Sequence, residues 1–243
     1  MRHAAMQKAL GQLSRQASQL DFHQPDLTIY NPLDYARAAA REYLERYLNR
    51  AATVLFVGMN PGPFGMAQTG VPFGDPGYVR DWLGIRASIK KPAREHPRRP
   101  VEGYDCVRGE VSGQRLWGLF KDRFGTAPAF FENHFVSNYC PLLFLNERGA
   151  NVTPDKLPQG ALQELYAACD RFLVALIQYG AFRHLIGIGS FAAGRLALLQ
   201  KSARLPDDTR ITRILHPSPA SPAANRGWAS QATRQLQAAG IWA

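Results

Sequence analysis

The chain has 243 residues, 46% of them apolar and 20% charged, a globular balance long enough for a sizeable core. Its longest apolar runs fall far short of the roughly 20 residues a membrane span needs, and its three cysteines, far apart and without a CxxC pair, argue against a structural zinc site, an iron–sulfur cluster or a disulfide scaffold. Lys and Arg number 29 against 19 acids, for a formal net charge of +10 and a pI near 9.8; such a surface suits a polyanion, with nucleic acid ahead of an anionic membrane.

In chain order, the N-terminus (MRHAAMQKALGQLSRQASQL) carries apolar residues at helical spacing and no continuous apolar core, so residues 1–27 are expected to form a helical extension in a cytoplasmic protein. NPLDYARAAAREYLERYLNR (31–50) predicts a helix with Asn31 as N-cap and Pro32 at its first position. TVLFVGM (53–59) is a near-continuous apolar run of the kind found in parallel strands covered on both faces. Residues 62–110 form a long Gly- and Pro-rich stretch with one short helical candidate at 77–85, and irregular insertions of this length are usually functional. Within it, 86–100 holds seven basic residues, counting His96, and one acid.

A helix over 111–125, closed by Gly125, precedes a second strand at 134–140. A long periodic helix (159–180), a strand (184–189), a helix capped by Ser190 (190–201), a strand (210–216) and a last helix (223–240) complete the chain. Alternating helices and parallel strands define the fold class α/β: a three-layer α/β/α sandwich around a central four-stranded parallel sheet, with 1–243 as one domain.

Ligands of open parallel sheets bind beyond the carboxyl ends of the strands. Three loops there, GMNPGPFG, NYCPLLF and HPSPASP, each place a polar side chain and then a proline after a strand. The chemistry-bearing candidates are therefore Asn60, Asn138 and His216. Standard signatures fail: GMNPGPFG has neither GxGxxG spacing nor a phosphate-loop Lys, the glycines of IGIGSF read as close packing, and no GxSxG elbow or zinc-deaminase motif occurs.

GMNPGPFGMAQTGVPFG (58–74) and HPSPASPAANRGW (216–228) resemble the two signature motifs of the single-strand-selective monofunctional uracil-DNA glycosylases, within the uracil-DNA glycosylase superfamily. YNPLDYA (30–36), VRDWLGI (79–85), EHPRRPV (95–101), EVSGQRLWGLF (110–120) and SNYCPLLFL (137–145) extend the resemblance over roughly residues 28–240. It implies a monomeric enzyme without cofactor or metal that flips uracil out of single-stranded or duplex DNA, hydrolyses its N-glycosidic bond and leaves an abasic site. Asn60 would position the water, His216 and the Met59 N–H would stabilise the leaving uracil anion, Phe73 would stack on the base and Asn138 would read its N3–O4 edge. Gly62 would leave room beside C5, so that 5-hydroxymethyluracil is a second expected substrate. Pro217, Ser218, Pro219, Ala220 and Ser221 would enter the duplex, with Arg226 beside them; vertebrate members carry arginine at the place of Ala220. Two alternatives are a superfamily glycosylase for deaminated purines (hypoxanthine or xanthine) and a non-catalytic binder of damaged DNA.

Overall fold

A computed structural model describes residues 3–157 and 159–243; Met1 and Arg2 of the expected N-terminal helix lie outside them. In chain order the elements are α1 (Ala4–Ser18), β1 (Thr28–Tyr30), α2 (Pro32–Tyr35), α3 (Arg37–Tyr47), β2 (Val54–Gly58), α4 (Met66–Thr69), α5 (Val111–Phe124), α6 (Ala127–Phe131), β3 (His134–Asn138), β4 (Leu143–Leu145), β5 (Asn151–Val152), α7 (Gln159–Tyr179), β6 (His184–Ile188), α8 (Ser190–Lys201), β7 (Arg210–Ile214), α9 (Pro222–Asn225) and α10 (Trp228–Ala238). Short 3₁₀ or π turns lie at Tyr78–Trp82, Gly103–Asp105 and Pro154–Lys156.

The four expected strands form one parallel sheet in the order β3-β2-β6-β7. Val54–Val57 and Phe135–Val136 are buried because helices cover both faces of the sheet, which is why their sequences run apolar without alternation. Register puts Gly58 beside Asn138 and Ile188 beside Ile214, so the carboxyl ends finish level and their loops open on one edge. Helix α1 packs against α7, and Met6, Leu13 and Ala17 join the main core. The three cysteines are free and buried.

Several local expectations are corrected. Residues 31–50 form two helices, because the Tyr35 carbonyl accepts the Lys90 N–H and Gly70 packs against Ala36 at the break. Asn31 does cap α2, accepting the Leu33 N–H at 3.2 Å. Gly189, at φ +87°, is the N-cap of α8 in place of Ser190; the Ser190 hydroxyl lies 3.4 Å from Arg213 Nη1. The last helix is divided at Gly227 (φ +102°), where Trp228 turns inward to donate to Leu215 O. A second sheet, antiparallel in the order β1-β4-β5, had no counterpart in the sequence reading.

Candidate active site

The cleft lies where β2, β3 and β7 end. Met59, Asn60, Gly62, Pro63, Phe73, Glu110, Ser112, Asn138, Asn151, Thr153, His216, Ser218 and Pro219 line a space of about 420 Å³. All six residues singled out for catalysis and base recognition (Met59, Asn60, Gly62, Phe73, Asn138 and His216) thus meet in one cleft, although 157 positions separate the first from the last. Of the 217–221 segment, Ser218 and Pro219 reach it, while Ala220 and Arg226 stand exposed at the surface.

Each polar side chain is oriented by a partner behind it. Asn60 donates through Nδ2 to Leu142 O (3.2 Å) and Asn151 Oδ1 (3.4 Å). Because both partners are acceptors, the amide nitrogen must point at them and Oδ1 is the atom left for a ligand. Asn138 is 8% exposed; its Nδ2 lies 3.3 Å from Met66 Sδ, and its buried Oδ1 has no hydrogen-bond partner. A buried acceptor left unpaired is rare and costs about 1–3 kcal/mol. His216 Nδ1 accepts the Ser218 N–H at 3.1 Å, which puts the proton of a neutral ring on Nε2. Burial holds the imidazole neutral, with its pKa lowered to about 4.

The aromatic wall is held under strain. Phe73 sits at φ +54°, a region that non-glycine residues seldom occupy, with its ring centroid 6.2 Å from that of His216. Trp117 Nε1 donates to Phe73 O (3.1 Å), and the Asp75 carboxylate gathers the N–H groups of Gly77, Tyr78 and Glu110 with the Gln114 amide. Gly58 leaves the floor open: a Cβ there would come within 2.4 Å of both Asn138 Oδ1 and the Phe73 ring. The room expected beside Gly62 is bounded by Glu110, whose Oε2 would lie 2.4 Å from a Cβ on that glycine.

Glu110, Ser112, Asn151 and Thr153 were not singled out from the sequence. They lie at an element's entry or in short turns, where no periodicity marks them. The basic stretch folds back beside the cleft, pinned by Tyr30, which donates to Arg99 O (2.6 Å) and accepts the His96 N–H (2.7 Å). Arg99 and Arg108 both lie over the Phe64 ring, at 5.1 and 4.3 Å. Burial and the charges of Arg108 and Arg98 lower the pKa of Arg99.

Fold and cleft together are those of an α/β/α domain with an aromatic-walled polar cleft at its sheet edge and arginines beside it. The chain belongs to the uracil DNA glycosylase superfamily, whose family model matches residues 45–237. It is 47% identical over 229 residues to the single-strand selective monofunctional uracil-DNA glycosylase of Rattus norvegicus, covering 94% of this chain and 82% of that protein. The proteins so named from Mus musculus and Bos taurus are 45% and 43% identical over the same length, covering 81% and 84% of their chains. The crystal structure of wild-type Pedobacter heparinus SMUG2 shares the fold, with a TM-score of 0.62 at 19% identity over 96% of this chain and 97% of that one.

Proposed function

We propose that the chain is a monofunctional DNA glycosylase that hydrolyses the N-glycosidic bond of uracil, and of 5-hydroxymethyluracil, in single-stranded and duplex DNA, leaving an abasic site. The observation that carries this reading is the unpaired, buried Oδ1 of Asn138 beside the Phe73 ring, in a chain whose relatives are named for uracil. Uracil offers a donor at N3 and an acceptor at O4, matching Oδ1 and Nδ2 of one carboxamide. Cytosine offers the opposite pattern and would leave both ends opposed, which is how a buried polar site rejects a near-isostere.

A base inside the stack cannot reach such a cleft, so it must be flipped, at a cost of about a few kcal/mol in a duplex and least in a single strand. Phe73 receives the flipped ring; base–aromatic stacking contributes about 1–3 kcal/mol. As the glycosidic bond breaks, negative charge gathers on uracil O2. The Nε2–H of neutral His216 and the Met59 N–H donate to it, and one such preplaced donor is typically worth about 2.7–4 kcal/mol. Asn60, its amide nitrogen already engaged, turns Oδ1 toward the water that attacks the oxocarbenium carbon. A carboxamide has no useful pKa, so Asn60 positions that water and does not take its proton as a strong base would. No lysine is among the described residues that line the cleft, in keeping with hydrolysis without a Schiff base. The 217–221 segment, standing next to His216, would fill the gap left by the flipped nucleotide, with Ala220 a small occupant.

The test is a single-stranded oligonucleotide carrying one uracil, incubated with protein and then treated with alkali. Wild type is expected to yield the cleaved product, with Asn60→Ala and His216→Ala each slower by about 10²-fold or more. Absence of product with wild type, or undiminished product with Asn60→Ala, overturns the proposal.

A further inference from the structure

Glu110 enters the cleft just before α5 and takes no part in the chemistry above. Its carboxyl stands against the backbone of the 62–65 loop: a Cβ on Gly62 would come within 2.4 Å of Oε2, and one on Gly65 within 2.7 Å of Cγ. Phe64 N–H donates to Oε2 at a long 3.3 Å. No basic side chain forms an ion pair with it among the described residues. Its neighbour Asp75 is itself acidic and accepts Glu110's own N–H. Burial pushes its pKa above the ordinary carboxylate value; the Phe64 N–H works against this, Asp75 adds to it, and the Ser112 N–H opposes it.

An acidic group on the wall of a cleft that admits a polyanion opposes the ligand at long range, so its use must be local. The bonds from the Phe64 and Ser112 N–H groups do not require a carboxyl, since any acceptor of that length would serve. What the carboxyl does supply is a hydrogen-bonding group in the space that a side chain at position 62 would otherwise take. Gly62 makes room for the Glu110 carboxyl, and the carboxyl gives that side of the cleft its polarity.

We propose that Glu110 is a specificity-determining residue that reads the C5 substituent of the base, selecting a hydroxymethyl group over an alkyl group of the same size. This rests on the reading of the cleft as a uracil pocket in which Gly62 flanks C5. A hydroxyl can donate to a carboxylate or accept from a carboxyl, so the contact forms in either protonation state. An ethyl group there shields the carboxyl from water and returns no hydrogen bond, and sites built on a buried polar group discriminate strongly against analogues that leave it unpaired. Uracil, with hydrogen at C5, leaves the carboxyl to water.

Single-turnover base release is measured from single-stranded oligonucleotides carrying uracil, 5-hydroxymethyluracil or 5-ethyluracil, with wild type, Glu110→Gln and Glu110→Leu. Rates for the two substituted bases are divided by those of uncatalysed hydrolysis, which removes the effect of the substituent on the leaving group. Wild type should then favour hydroxymethyl over ethyl by about tenfold or more. Glu110→Gln, whose amide still hydrogen-bonds, should keep most of that preference, and Glu110→Leu should abolish it. Ratios are taken within each variant, so any loosening of the loop cancels. A corrected wild-type ratio near one, or a Glu110→Leu ratio equal to wild type, overturns the proposal, and Glu110→Ala takes the place of Glu110→Leu, with the same expected loss, should the Leu variant not fold. Failure of wild type to release uracil is a different result: it removes the pocket reading and this proposal with it.

Discussion

His216 shows how one backbone N–H sets the electrical character of a site. While the ring is neutral, Nδ1 accepts from Ser218 and Nε2 carries a proton toward the cleft. Protonation would put a second N–H against that of Ser218, breaking the bond that shapes the 216–218 turn. Burial defers this to about pH 4, well below the ordinary histidine value of 6.5. The acid limb of kcat/KM for uracil release is therefore expected near pH 4, with a plateau from pH 5.5 to 8; a limb centred at 6.5 would show a solvated histidine. Such residues were legible because a strand end, a polar side chain and a proline coincide in GMNP and in HPSP. Asn138 was a weaker case, its proline lying three positions on. Glu110 was not legible: a lone acid before a helix ordinarily signals only a favourable helix start, and its meaning comes from Gly62, 48 residues earlier.

At the scale of elements, the site depends on how closely α5 approaches the 69–78 loop. Gly113 lies on α5 where a Cβ would come within 2.1 Å of Phe73 O and 3.2 Å of Asp75 N, and Trp117, one turn on, donates to the same carbonyl. The helix thus bears directly on the backbone of the residue at φ +54°, and this contact helps to hold that conformation. Gly113→Ala must push helix and loop apart. It is expected to lower stability by about 1–3 kcal/mol and to raise KM for uracil DNA as the aromatic wall shifts. Gly194→Ala on α8, where a Cβ meets nothing within 4 Å, is the control: it should leave KM alone and stabilise by up to about 1 kcal/mol. Equal effects at the two glycines, by urea unfolding and steady-state kinetics, would remove α5 from this role. Strands β2, β3 and β6 were legible because burial on both faces leaves a largely apolar run, whereas β7, with Arg210 and Arg213 exposed, is an edge strand read from its β-branched residues. The antiparallel sheet was not, since β1, β4 and β5 are two or three residues long and carry no period to detect. The break at Ala36 was hidden because a tertiary hydrogen bond from the Lys90 N–H to Tyr35 O accompanies it, whereas that at Gly227 carries a local sign, a glycine at φ +102°.

Across the whole molecule, the formal charge is +10 at pH 7, yet two histidines are held uncharged by desolvation, His134 buried and His216 half-buried. His134 begins β3, stacks on Phe130 at 4.9 Å and accepts the Trp242 indole N–H at Nε2, which fixes the chain's C-terminal end to the sheet. Its Nδ1–H then donates to Phe130 O. Burial lowers its pKa to about 4; the bond to Phe130 O opposes this and the charge of Arg123 adds to it. Between about pH 6.5 and 4, the unfolded chain binds protons at His134 and His216 that the folded chain does not, so stability must fall as the pH falls through that window. Glu110, raised by burial, works in the opposite direction: its folded form holds a proton that the unfolded chain releases as the pH rises. With two histidines against one carboxyl, urea midpoints are expected to drop between pH 7 and pH 4.5. His134→Phe keeps the stack on Phe130 and removes one titrating group. It should be less stable at pH 7, since the Trp242 N–H loses its acceptor, yet show a visibly smaller drop toward pH 4.5. A drop as large as wild type would mean that the fold does not hold His134 uncharged, and that acid attacks this protein somewhere other than the join between β3 and the C-terminal end.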